Sequence, residues 1–190
     1  MQEPCSFKIS TKDYLTRYYE ILDKMIRQME RACLTDSISR NFIVQMIPHH
    51  QAAISMSENV LEYISCVPLH RIASNIITAQ TKSINDMRHA FETCQMQAST
   101  CQDLQLYQRE MRNIMQVMFA GMETAPASNN ISDTFMREMI PHHEGAVRMS
   151  ENALRYCICP ELVPILNAII ISQEEGIRQM RQLLDDKTCR

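Results

Sequence analysis

The chain is expected to be all-α, a helical bundle of two tandem three-helix repeats with about six helices. Three observations predict this. Three glycines, no tryptophan and few β-branched runs in 190 residues argue against sheet. Apolar residues recur at the alternating 3/4 step of one buried helical stripe. Finally, Met46-Ile47-Pro48-His49-His50 returns letter for letter as Met139-Ile140-Pro141-His142-His143, 93 residues downstream. The match extends at the same offset through Met56-Ser57-Glu58-Asn59 and Met149-Ser150-Glu151-Asn152, and no gap is needed. Self-similarity of this length is the mark of a repeat architecture. It divides the chain into a first repeat at 1–97 and a second at 98–190.

Each repeat is read as three helices. The first runs from about Thr11 or Lys12 to about Ala32, with Tyr14, Tyr18, Met25 and Met29 at helical spacing. Thr35-Asp36-Ser37 then supplies turn and N-cap chemistry. The second helix covers about Ser39–Ser65, and Phe42, Met46, His49, Ala53, Met56 and Val60 share its inward stripe. Cys66-Val67-Pro68 is expected to break it. The third runs from about Leu69 to Phe91, with Ile72, Ile76, Gln80, Ile84 and Met87 inward. Residues 95–102 read as the connection between repeats. The second repeat is expected to place helices near 103–122, 132–156 and 161–185.

Composition narrows the function classes. The net charge of −3 comes from interspersed signs, with no basic block, so nucleic acid is not an expected partner. No run approaches the roughly 18 apolar residues of a membrane span. Fifteen methionines exceed what packing alone asks of such a chain, although methionine does fill irregular helical cores.

Chemistry is concentrated at the duplicated motif, which holds four of the six histidines. Pro48 and Pro141 cannot donate to the preceding turn, so the helix either kinks there or starts anew with proline in its first turn. In the second case the positive helix end would disfavour protonated imidazole and leave the neutral, metal-binding form. A metal ion is the expected partner, taken by His49 or His50 with Met46 or Met56. Met87 on the third helix, and Met25 or Met29 on the first, are placed in the same layer. The equivalent set is His142, His143, Met139, Met149, Met180, Met118 and Met122, one site per repeat. Thioether sulfur is soft and selects Cu(I) or Ag(I), while imidazole also suits Cu(II), so copper is the expected cofactor. Each residue also has a plainer reading. A methionine at helical spacing can be core, Gln80 and Gln173 can simply bridge helices, and Glu58 and Glu151 can be solvated helix-face residues.

At these residues the chain resembles a known family. Phe42-x3-Met46-Ile47-Pro48-His49-His50-x2-Ala53-x2-Met56 and its copy from Phe135 to Met149 are similar to the signature of domain of unknown function family 305. The third helices, with Gln80-x3-Ile84-x2-Met87 and Gln173-x3-Ile177-x2-Met180, resemble that family's closing helix. The resemblance covers most of residues 12–185. It implies a ferritin-like helical bundle, usually exported, with copper binding or copper resistance. Two departures stand out. Family members often carry an acidic residue where this chain has Ser83 and Gly176, and a tryptophan that is absent here.

Two rivals remain. A ferritin-like di-metal carboxylate protein needs inward glutamates and Glu-x-x-His pairs. Gln45 precedes the first motif and Glu138 the second, both at the wrong spacing. A structural or interaction module, with histidines packed at a kink and no metal, is the other. No His-Glu-x-x-His and no localised nucleophile set appears, so the chain is not expected to be an enzyme. A homo-oligomer is compatible with the sequence.

The eight cysteines fall near expected helix ends. In an up-down-up unit Cys5 meets Cys66 at one end and Cys33 meets Cys94 at the other, so those pairings are the expected disulfides. Cys101 and either Cys157 or Cys159 share an end of the second unit. Such an even count suits an oxidising compartment and, with the family resemblance, an exported or cell-envelope home. Met1–Ser6 lacks the basic and apolar regions of a secretory leader, which keeps a cytoplasmic alternative open.

Overall fold

The computed structural model describes residues 7–94 and 97–189. Six helices account for nearly all of it: α1 (Ile9–Glu30), α2 (Ile38–Leu61), α3 (Val67–Thr93), α4 (Cys101–Glu123), α5 (Ile131–Leu154) and α6 (Leu162–Asp185). The all-α bundle follows the periodicity. Buried positions of α1 are Tyr14, Tyr18, Ile21, Leu22, Met25 and Met29, and those of α4 include Tyr107, Met111, Ile114, Met118 and Met122. Each set forms one stripe whose burial, about 25 cal/mol per Å² of apolar surface, drives the packing.

Helix ends follow local chemistry. The side chains of Ser37, Thr100 and Asn130 accept hydrogen bonds from the backbone N–H groups of Arg40, Asp103 and Asp133, capping α2, α4 and α5. Pro68 does not end α2. It sits in the first turn of α3, where its missing N–H costs nothing, and α2 has already stopped at Leu61 rather than near Ser65. Ser99 closes the connection between repeats: its N–H donates to the Asp36 carbonyl at 2.9 Å, and its hydroxyl accepts from Ile38 N at 3.3 Å. Gln95 and Met96 of that connection lie outside the described residues.

Pro48 and Pro141 lie inside continuous helices, so no new helix starts at either motif. The helix-end argument for neutral imidazole therefore does not apply. Burial replaces it, as the site shows below.

Helices α1–α3 fall in the first repeat and α4–α6 in the second. Within each, the second helix packs on the first and the third, and the repeats meet through α2 against α5 and α3 against α6. Contacts recur at the internal offset. Asn59 Nδ2 donates to the Tyr14 carbonyl at 3.1 Å, and Asn152 Nδ2 to the Tyr107 carbonyl at 3.2 Å. Tyr14 meets Tyr63 edge-on, as Tyr107 meets Tyr156. One apolar cluster nevertheless runs through both repeats.

The disulfides correct the sequence expectation. Cys66 pairs with Cys189 and Cys94 with Cys159, with Cα–Cα separations of 5.4 and 6.3 Å. Cys33, Cys101 and Cys157 are free and exposed. Cys5 lies outside the described residues. Cys33–Cys94 does not form, because the partner of Cys94 comes from the other repeat. The two bridges join the start of α3 to the end of α6, and the end of α3 to the start of α6. That arrangement requires α3 and α6 to run antiparallel, and Cys66 and Cys159, equivalent under the internal repeat, each start one bridge.

Candidate metal centre

The four motif histidines meet where α2 crosses α5. All four are buried, with 2% exposure or less. The His49 and His142 rings lie face to face with centroids 3.6 Å apart, flanked by His50 and His143 at 5.8 and 5.9 Å. The two copies of the motif, read as separate sites in the sequence, are thus placed back to back.

Their tautomers follow from the partners. His49 Nε2 lies 3.1 Å from the His142 carbonyl, and His142 Nε2 lies 3.2 Å from the His49 carbonyl. A carbonyl oxygen only accepts, so both Nε2 atoms carry hydrogen. In a neutral ring the lone pair then sits on Nδ1. Those Nδ1 atoms, and the Nδ1 atoms of His50 and His143, are buried without a hydrogen-bond partner. An unmet buried acceptor costs about 1–3 kcal/mol, so Nδ1 of His49 and Nδ1 of His142 ask for a guest.

Burial keeps the rings neutral. It lowers His49 and His143 well below the usual imidazole range, reinforced by the neighbouring histidines, with the His142 carbonyl and the Met139 backbone working in the opposite direction. His50 is pushed down to about 3 by burial and then by the charge of His142, and His142 to about 4 by burial. Neutral imidazole is the form that binds a metal ion.

The third helices close over the outer histidines. Ser83 Oγ lies 3.1 Å from His50 Nε2. At the equivalent place, a Cβ on Gly176 would come within 3.0 Å of His143 Nε2, so that ring rests on bare backbone. Ser83 and Gly176, at equivalent places of the two repeats, therefore touch the two outer rings. Gln80 and Gln173 are buried, and Gln80 Nε2 and Oε1 and Gln173 Oε1 lack hydrogen-bond partners.

Every methionine singled out in the sequence is buried: Met25, Met29, Met46, Met56, Met87, Met118, Met122, Met139, Met149 and Met180. Met118 packs on the histidine helix at Gly145. A Cβ on Gly145, three residues after His142, would collide with its Sδ and Cγ. Ala52 holds the equivalent place in the first repeat. Glu58 and Glu151 are exposed, as their helix-face reading required.

Sequence reasoning passed over Glu138. It is buried, and it accepts a hydrogen bond from the Tyr14 hydroxyl across the repeat boundary. Burial pushes its carboxyl up to about 8, with the Tyr14 hydrogen bond pulling the other way. Its counterpart Gln45 donates instead to Met115 Sδ at 3.4 Å, and the Tyr107 hydroxyl has no partner. The signal was available: Tyr14 and Tyr107 match at the 93-residue offset, while Gln45 and Glu138 do not.

The donor set, four neutral imidazoles with unmet nitrogens in a methionine-rich core, fits a soft or borderline metal ion. A hard cation would need oxygen ligands that the cluster does not offer.

Comparison with known proteins gives the family and the fold. The model of one family, a domain of unknown function (DUF305), matches residues 39–184. A DUF305 fragment from Deinococcus radiodurans has the same fold, at 23% identity and TM-score 0.57 over 82% of this chain and 99% of that one. CopM in its Cu(II)-bound form is similar at 28% identity and TM-score 0.59, over 78% of this chain and 97% of its own. The Ag-bound form of CopM shows 30% identity and TM-score 0.57, over 81% and 98%. No curated protein sequence matches the chain.

Proposed function

The chain belongs to the DUF305 family, and from that membership and the four neighbouring buried histidines we propose that it binds and sequesters copper rather than catalysing a reaction. The observation that carries the reading is the pair of carbonyl-fixed tautomers. His49 and His142 spend Nε2–H on each other's backbone and keep a buried, unmet lone pair on Nδ1. His50 and His143 add two more buried nitrogens, and the methionines, led by Met46, Met56 and Met87 with their equivalents Met139, Met149 and Met180, supply thioethers. Nitrogen and thioether together accept both Cu(I) and Cu(II), with sulfur favouring the reduced ion. The Cu(II)- and Ag-bound forms of the similar CopM support the choice, since silver shares the softness of Cu(I). Two disulfides between the repeats support residence in an oxidising compartment.

In this reading each repeat contributes one copper ion. Met25, Met29, Met118 and Met122 form the outer part of the thioether layers. Methionine to leucine nearly conserves volume and costs under about 1.5 kcal/mol in a core. Replacing Met46, Met56 and Met87 together by leucine should therefore leave the fold intact while Cu(I) affinity in that repeat falls by orders of magnitude. Cu(II), held mainly by imidazole, should change less. Competition titration with a Cu(I) chelator, with circular dichroism as the fold control, measures this. Undiminished Cu(I) binding in a chain lacking all four motif histidines would end the proposal and leave a purely structural module.

A further inference from the structure

Glu161 is the N-cap residue of α6, yet its side chain makes no capping hydrogen bond. Its Oε2 instead lies 2.8 Å from Cys159 Sγ and 3.2 Å from Cys94 Sγ. A disulfide sulfur carries no hydrogen, so in the oxidised chain neither contact satisfies the carboxylate. On reduction the same three atoms become two thiols and a carboxylate within reach of one cation. Among the described residues this is the sole group bringing three such donor atoms of His, Cys, Asp or Glu within 4.8 Å of one another. Among the described residues the other bridge, Cys66–Cys189, has no such third donor, and Pro68 stands where the second repeat has Glu161.

The scaffold around these atoms is fixed. Cys159 N–H donates to Ser39 Oγ at 2.9 Å, pinning the turn before α6 to the start of α2. Cys94 N–H closes the last turn of α3 on the Ala90 carbonyl at 2.9 Å. Cys159 is buried, Cys94 half-buried and Glu161 exposed, so one side remains open to water. The start of α6 adds the positive end of a helix, which favours thiolate and carboxylate.

We propose that a dithiol reductant opens this bridge and that Cys94, Cys159 and Glu161 then form a three-ligand site for a borderline-soft divalent cation of the Zn(II) class. The dithiol gives two electrons and two protons to the bridge and closes into its own disulfide, leaving Cys94 and Cys159 as thiols. The cation displaces both thiol protons to solvent and forms two metal–sulfur bonds and one metal–oxygen bond, without changing oxidation state. Water completes the tetrahedron. Two thiolates and a carboxylate suit Zn(II), whose ligand set spans Cys sulfur and Glu oxygen, whereas Cu(I) gains little from the carboxylate. The site uses none of the histidines and stands or falls independently of the copper reading.

The test uses the full chain with Cys5, Cys33, Cys66, Cys101, Cys157 and Cys189 replaced by serine, so that only Cys94 and Cys159 remain. Cd(II) is added to oxidised and dithiol-reduced protein, and the ultraviolet thiolate-to-metal band, to which imidazole and thioether ligands do not contribute, is followed. One equivalent should bind after reduction and none before. Zn(II) should compete for it, and Cys94→Ser should abolish the band. Glu161→Gln leaves the fold and both thiols untouched and should weaken Zn(II) at least tenfold. A reduced chain without the band, a band that survives Cys94→Ser, or unchanged Zn(II) affinity in Glu161→Gln would each overturn the assignment.

Discussion

His49 and His142 each donate an Nε2 hydrogen to the other's main-chain carbonyl, at 3.1 and 3.2 Å, across the crossing of α2 and α5. The two copies of the motif therefore fix each other's ring orientation and tautomer. Neither Nδ1 can be aimed without the opposite repeat, so the two halves of the centre are mechanically one.

That relationship predicts coupling. His142→Ala removes the side-chain donor to the His49 carbonyl and frees the His49 ring on one face. Copper affinity should drop in both repeats, and stability should fall by about 1 kcal/mol for the lost hydrogen bond, the His49 carbonyl keeping its helical partner, and further for the cavity left in the core. Isothermal titration distinguishes this from independent repeats, which would leave one copper site at its original strength.

The pH dependence has two opposing parts. His50 and His142, lowered to about 3 and about 4, are neutral in the fold but charge near 6.5 when unfolded. The unfolded chain thus binds more protons below that pH, and stability falls as pH drops through 6.5. Glu138, raised to about 8, acts the other way. It stays protonated in the fold while ionised in the unfolded chain, so stability falls, by up to about 1.4 kcal/mol per pH unit, as pH climbs towards 8. The metal-free chain should be most stable near pH 6–7. Glu138→Gln should flatten the alkaline limb and leave the acid limb in place, as denaturant melts between pH 4 and 9 will record.

The bridges join the repeats, so each crosslink should stabilise the whole bundle rather than one half. Cys66→Ser opens a loop of 123 residues and Cys94→Ser one of 65. Each should lower the unfolding free energy by about 2–5 kcal/mol while keeping one cooperative transition. Two separate transitions in calorimetry would contradict the shared core.

Gly145 makes room for Met118 against α5. Alanine is the better helix former by about 1 kcal/mol, yet Gly145→Ala would drive a methyl into the Met118 side chain. We expect a net loss of about 1–3 kcal/mol, the usual cost of overpacking. Adding Met118→Ala should recover part of it, a coupling that a double-mutant cycle by chemical denaturation reads directly.

The sequence by itself determined the helices, their inward stripes and the repeat, because these depend on spacing along one element and on identity at a fixed offset. It also singled out residues that the fold buries. His49, His50, His142 and His143 are buried together, the ten methionines lie in the core, and Ser83 and Gly176, noted as departures from the family pattern, touch the outer rings. Tertiary structure alone decided how the copies face each other. Helical periodicity says that His49 points inward but not that its neighbour is His142, since a pairing between repeats leaves no spacing signature. For the same reason Cys94 was matched to Cys33 inside its own repeat, whereas antiparallel packing of α3 on α6 delivers Cys159. Glu138 followed the same rule: an acid on a helix looks solvated until the packing of α5 against α1 buries it beside Tyr14. Distance along the chain sets the elements, and the burial of one repeat's face against the other sets which donors share a site.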